Sequence, residues 1–258
     1  MRHLEREIDR LKRKILALGA LVENNLRLAF QAIESRDADK GHRVMVTDIL
    51  IDEQEVDVEE ECLKILALYQ PVASDLRFLV AVIKINSELE RIGDLASNIG
   101  ERAISLAQEH PVPMPGCFAV MAERTGTILE KSLDALVRQD SVTARLVLAA
   151  DDEIDALYRC LIEDLKAIIL TDPEHLDAIV LLFSVARYLE RLADHATNIA
   201  EDVLYMVEGE IHRHEMPAPP APPASLAPPA PPASLAALAA PAAPAEMTEL
   251  FRWDDREK

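Results

Sequence analysis

Glu90 and Asp94 stand four residues apart in "ELERIGDLASNIGE" (88–101), and Glu190 and Asp194 repeat that spacing in "YLERLADHATNIAE" (188–201). Four residues is one helical turn, so each doublet stacks two carboxylates on one face and accepts a like-charge cost that helix surfaces usually avoid. Two more doublets, Asp48/Asp52 and Asp151/Asp155, have the same spacing. Carboxylates gathered at close range need a cation between them, or some must take up protons. A donor set made only of oxygen suits hard ions such as magnesium, calcium, manganese or iron.

The doublets converge only if their helices are level. The turn that joins the second and third predicted helices centres near Pro71. Asp48–Asp52 ends about twenty residues before it and Glu90–Asp94 begins about twenty after it, so in an antiparallel pair both lie roughly 30 Å from the turn. The second half gives the same arithmetic around Asp172. On a helical wheel Glu90, Asp94 and Glu101 share one stripe, with Asn98 at its edge, and Ile85, Leu89, Ile92, Ala96 and Ile99 lie opposite. Glu190, Asp194, Glu201 and Asn198 repeat the arrangement, so the two asparagines and the two outer glutamates are candidate additional ligands.

The halves match beyond these motifs. "AIESRD" (32–37) faces "ALVRQD" (135–140) at an offset of 103, which falls to 100 after a connection near Pro71 three residues longer than its counterpart. A turn that changes length between preserved helices is what a duplication tolerates. Breaks in the pattern predict six helices, at about 3–35, 40–68, 74–108, 118–138, 141–170 and 173–210. Ser141 is the expected N-cap of the fifth. Asp172, with Pro173 at the first helical position, is that of the sixth. The fold class is therefore all-α: two tandem three-helix bundles, 1–108 and 118–214, joined by a proline-rich linker at 109–117. The remaining segment, 215–258, repeats "PPAPPASLA" and reads as extended or disordered low-complexity chain.

The 258 residues carry a formal net charge of −19, which disfavours nucleic acid and anionic lipid as direct partners. Cys62, Cys117 and Cys160 show no paired spacing, and Cys62 and Cys160 read as small buried apolar groups within helices. With a start too charged for a signal peptide and no apolar run long enough to span a bilayer, the expectation is a reduced, soluble, cytoplasmic protein.

The stretch "YQPVASDLRFLVAVIKINSELERIGDLASNIGERA" (69–103) resembles the first-repeat signature of the PhoU family, and "YLERLADHATNIAEDVLYMVEGE" (188–210) resembles the second. The likeness covers about residues 5–212 and includes the duplication. It implies non-catalytic accessory regulators of phosphate uptake, assembled as homodimers or higher oligomers. Such adaptors couple the phosphate ABC transporter, chiefly its ATPase, to a membrane histidine kinase, and act as negative regulators when phosphate is plentiful. Contact with the membrane would run only through those partners. The family's metal motif falls on Glu90/Asp94 and Glu190/Asp194, with Asp48/Asp52 and Asp151/Asp155 on the facing helices. It implies iron or zinc clusters, or magnesium or manganese. The same likeness singles out Asp75 and Arg77 as candidate partner contacts, against a structural role at the start of the third helix.

Two other readings compete. A di-iron oxidase on a helical bundle needs Glu-x-x-His on two helices, and no such spacing occurs at Glu90 or Glu190. A metal-free helical scaffold with an acidic face remains the alternative. His195 lies beside Asp194, yet its counterpart is Leu95, so the duplication does not require it as a ligand. Arg77, Lys84 and Arg91 form one stripe best read as ion-pairing to neighbouring acids. His212 and His214 suit the end of the sixth helix.

Overall fold

The structure, a computed structural model, describes residues 2–209. The Pro/Ala-rich segment and the histidines at 212 and 214 lie outside the described residues. Within them the chain is helical and contains no strand. Helices α1 (Arg2–Ser35), α2 (Ala38–Tyr69) and α3 (Ala73–Gln108) pack on one another as the first unit. Helices α4 (Gly116–Arg138), α5 (Ser141–Ala149), α6 (Asp151–Thr171) and α7 (Leu176–Glu208) form the second, and α3 lies against α7.

The first turn of each unit explains why "ESRD" and "VRQD" match. Arg36 and Gln139 both take left-handed backbone angles, with φ of 51° and 52°. The aspartate that follows each then caps the next helix. Asp37 accepts from Lys40 N, and Asp140 accepts from Val142 N and Thr143 N. Asp140 therefore replaces the expected Ser141 as the cap, one residue earlier. Its carboxylate reaches two orphan amides and also takes the Thr143 hydroxyl at 2.6 Å, which a serine at 141 could not do from inside the helix. Arg36 also donates from its guanidinium to the Leu106, Glu109 and His110 carbonyls, which satisfies the C-terminal end of α3.

The fifth expected helix is two helices. The chain turns at Ala150, where the amide reaches back only to the carbonyls of Leu148 and Val147. The run Asp151, Asp152, Glu153 then opens α6. Three acids in a first turn complement the positive end of a new helix and disfavour the middle of a continuous one. The last helix also starts later than expected. Pro173–His175 is one turn of 3₁₀ helix, and Asp172 makes no side-chain cap but pairs with His175 Nε2 at 3.2 Å.

The core follows the duplication residue for residue. From 82 to 100 the sequence of buried, half-buried and exposed positions along α3 is repeated without exception from 182 to 200 along α7. Leu89 and Leu189, Ile92 and Leu192, and Ile99 and Ile199 are all buried, each stabilising the fold by about 1.5–3 kcal/mol. In the first unit α2 and α3 meet backbone to backbone. A Cβ added to Gly41 would lie 2.6 Å from the Gly100 carbonyl, and one added to Gly100 would lie 3.0 Å from that of Gly41. The counterpart positions in the second unit hold Ala144 and Ala200, both fully buried.

Two cysteine expectations are overturned, that Cys160 is a buried apolar group and that the chain is reduced. Cys62 is fully buried, but Cys160 is exposed and bonded to Cys117, a disulfide that joins the start of α4 to α6. Pattern along α6 alone cannot reveal this, because the partner comes from a different helix 43 residues away.

Candidate metal centre

The helix pairs α2/α3 and α6/α7 position the acid doublets. In the first unit Asp48 and Glu90 are half-buried, and Asp52 and Asp94 are exposed. In the second, Asp151 and Glu190 are half-buried, and Asp155 and Asp194 are exposed. Burial pushes the Asp48 carboxyl up to about 6, helped by the charges of Asp52 and Asp94 and opposed by the Ser97 hydroxyl. Burial likewise raises Glu90, followed by the charges of Asp94, Asp52 and Glu55. Asp151 is raised by burial and then by Asp194, Asp155 and Asp152. Asp194 is raised by burial and by Glu190 and Asp155, against His195 and Arg187. In each unit, then, carboxylates from two helices sense one another's charge.

Each quartet also holds an oxygen that nothing satisfies. Asp48 Oδ1 and Glu190 Oε2 are buried without a hydrogen-bond partner. Asp48 has its position because Gly93 lacks a side chain: a Cβ there would lie 3.0 Å from that same Oδ1. Buried carboxylate oxygens with no donor, the Asp48 one on a group whose proton affinity is also raised, fit a hard cation. The oxygens are not drawn into a closed cage. Among the described residues, the one trio of ligand atoms within 4.8 Å of one another is Cys117, Cys160 and Asp164.

The two quartets differ in ways the acid pattern did not reveal. Glu55 belongs to the first, its carboxyl raised by burial and by Glu59 and Asp52. Its spacing, seven residues after Asp48 and three after Asp52, was the available signal. The second unit has Tyr158 at that place and adds Arg187, which donates to Glu190 at 2.9 Å where the first unit has Ser87. One quartet gains a fifth acid; the other holds a cation of its own.

The supplementary candidates divide. Asn98 lines a cleft of about 390 Å³ between α3 and α7 with Glu90, Arg91, Asp94, Leu95, Arg191 and His195. Asn198 is committed elsewhere, since its Nδ2 donates to Glu88 Oε2 at 3.1 Å. Glu101 is exposed, 3.7 Å from Arg102. Asp75 sits in the first turn of α3. The Arg77 guanidinium lies beside Gly209, the left-handed residue that ends α7, where a cation suits the helix terminus.

The surface between α3 and α7 is a polar clasp. His195 Nδ1 lies 2.7 Å from Glu88 Oε2, and Lys84 Nζ lies 3.2 Å from Asp202 Oδ1 and 4.9 Å from the Tyr205 ring centre. Burial pushes the Glu88 carboxyl up, but the hydrogen bonds from His195 and Asn198 outweigh it and hold the group below its ordinary value. His195 is thus engaged by an acid of the other unit, and Lys84 pairs with an acid as its stripe predicted.

Two helical units that repeat their burial, their first turns and their paired acids define a duplicated helical-bundle protein whose notable chemistry is that of paired carboxylates. The PhoU domain family model matches residues 15–103 and again 118–203. The phosphate-specific transport system accessory protein PhoU homolog of Aquifex aeolicus is 38% identical over 212 residues, covering 82% of this chain and 96% of the relative. That of Pseudomonas aeruginosa is 35% identical over 210 residues, covering 81% and 86%. The crystal structure of PhoU from Pseudomonas aeruginosa superposes with a TM-score of 0.76 at 34% identity, covering 80% of this chain and 99% of that one. A phosphate transport system regulatory protein PhoU from Streptococcus pneumoniae gives 0.75 at 26% identity, covering 81% and 98%. The chain belongs to the PhoU family. Among the described residues no helix is long and apolar enough to cross a membrane.

Proposed function

We propose that the protein is a non-catalytic accessory regulator of a phosphate transport system, acting as a metal-binding adaptor. The observation that carries the metal half is the pairing of raised, coupled carboxylates across α2/α3 and α6/α7, each quartet with an unsatisfied buried oxygen. Family membership supports the transport half. In this reading Asp48, Asp52, Glu90 and Asp94 hold one site, and Asp151, Asp155, Glu190 and Asp194 the other. Magnesium, manganese, iron or zinc balances charge the protein leaves uncompensated. The two repeats are 1–108 and 118–214, and the chain works in the cytoplasm as a homodimer or higher oligomer. Asp75 and Arg77, at the start of α3, are the candidate partner contacts.

The adaptor would dock on the transporter ATPase and on the cytoplasmic part of a phosphate-sensing histidine kinase, restraining both when phosphate is abundant. Calorimetric titration of the double variant Asp94→Ala/Asp194→Ala with Mn²⁺, Fe³⁺ and Zn²⁺ tests the metal assignment. Binding undiminished from wild type removes it and leaves the metal-free scaffold. Pull-down of the full chain with the ATPase and with the kinase domain tests the adaptor assignment, which fails if neither is retained.

A further inference from the structure

The disulfide region belongs to neither quartet. Cys160 and Asp164 are four residues apart on α6 and project from one face, about 140–180° round the helix from Asp151 and Asp155. Cys117 is the second residue of α4. Its Sγ lies 3.3 Å from Asp164 Oδ2, and the ligand atoms of all three residues fall within 4.8 Å of one another.

The duplication shows what this location does in the other unit. At the offset of 103, Cys117, Cys160 and Asp164 correspond to Lys14, Asp57 and Glu61. There a cation sits between two acids, with Lys14 Nζ 2.8 Å from Asp57 and 3.5 Å from Glu61. The second unit has replaced the built-in ammonium by a thiol and one of its two carboxylates by another, keeping the third position acidic. The cation is gone, and the two new groups are those that bind metal ions of intermediate softness.

We propose that, when the disulfide is reduced, Cys117, Cys160 and Asp164 form a zinc site that takes the place of the Lys14 ion bridge. Two thiolates and a carboxylate are three protein ligands, leaving the fourth tetrahedral position to water. The first turn of α4 favours Cys117 as the thiolate, because unpaired amides there carry partial positive charge. Cys160 is exposed and Cys117 half-buried, so ion and reductant can reach the sulfurs. Opening the site consumes a dithiol. The S–S bond takes up two electrons and two protons, and the dithiol becomes a disulfide. Zinc then displaces both thiol protons. Oxidised and zinc-loaded forms are mutually exclusive fasteners between the same two helices.

The test uses the full chain, stripped with a chelator and reduced with a phosphine, which leaves as its oxide with oxygen from water. Titration with Co²⁺ should raise the near-ultraviolet thiolate-to-cobalt band at one equivalent, and Zn²⁺ should abolish it. Cys117→Ser and Cys160→Ser should lose the band, Cys62→Ser should keep it, and Asp164→Asn should weaken cobalt binding about tenfold or more. Helix content by circular dichroism checks that each variant is folded, and Cys160, being exposed, tolerates serine. No band in the reduced wild type, or an intact band in Cys160→Ser, overturns the assignment. Carboxylate-only sites give no such band, so this outcome is independent of the acid quartets.

Discussion

Replacing Asp48 by asparagine separates the two roles of its carboxyl group. A group whose ordinary value of 3.8 has risen to about 6 opposes folding when ionised, by about 3 kcal/mol at 1.36 kcal/mol per pH unit. Asp48 is only half-buried, so screening by solvent cuts the penalty to about 1–2 kcal/mol. The sign follows from proton binding. Between about pH 4 and pH 6 the folded protein holds a proton that the unfolded chain has released, so this contribution to stability falls as pH rises through that window. Above about pH 6 the penalty is complete. Urea unfolding of metal-free Asp48→Asn at pH 7.5 should therefore show a gain of about 1–2 kcal/mol over wild type, shrinking towards zero near pH 4. In saturating Mn²⁺ the order should reverse, because the wild type binds an ion that the variant holds less well. If the metal-free variant is no more stable than wild type at pH 7.5, the carboxylate is already compensated in the apo protein and the reasoning fails.

Three other perturbations follow from the geometry. Gly41→Ala should lower stability by about 1–3 kcal/mol in thermal or urea unfolding despite alanine's better helix propensity, because its methyl would meet the Gly100 carbonyl at 2.6 Å. Glu88→Gln should cost about 1–3 kcal/mol at pH 7 by removing charge-assisted bonds to His195 and Asn198. Since the Glu88 carboxyl is held below 4.5, that difference between variant and wild type should fade as pH drops below about 4.5. Arg187→Ala should strengthen cation binding at the second quartet severalfold by calorimetry, and leave the first unchanged, because it removes the counterion now on Glu190.

Much of this molecule is written in its sequence because the sequence states it twice. Leu89, Ile92 and Ile99 recur as Leu189, Leu192 and Ile199 at the same burial, so the wheel could be read on two helices and compared. The acid doublets were legible for the same reason. What escaped the reading lay where the copies diverge or where distant helices meet. Tyr158 stands opposite Glu55 and Ser87 opposite Arg187, and no internal comparison shows which copy carries the useful group. The Cys117–Cys160 bond and the Glu88–His195 contact each join separate helices, which periodicity along one helix cannot detect. The break at Ala150 depends on a local run of three acids that looks like ordinary helix surface until the new N-terminus accounts for it.

The glycine contact between α2 and α3 also bears on what the first quartet can do. Gly41 and Gly100 lie within seven residues of Asp48 and Asp94, and the absence of a Cβ at Gly93 leaves room for the Asp48 oxygen. Backbone braced against backbone has no rotamer to relax into, so these jaws have no play. An ion entering there would cancel charge while hardly moving the helices. A partner reading such a unit would sense a change of potential rather than of shape, and added salt would blunt the message by shortening its reach.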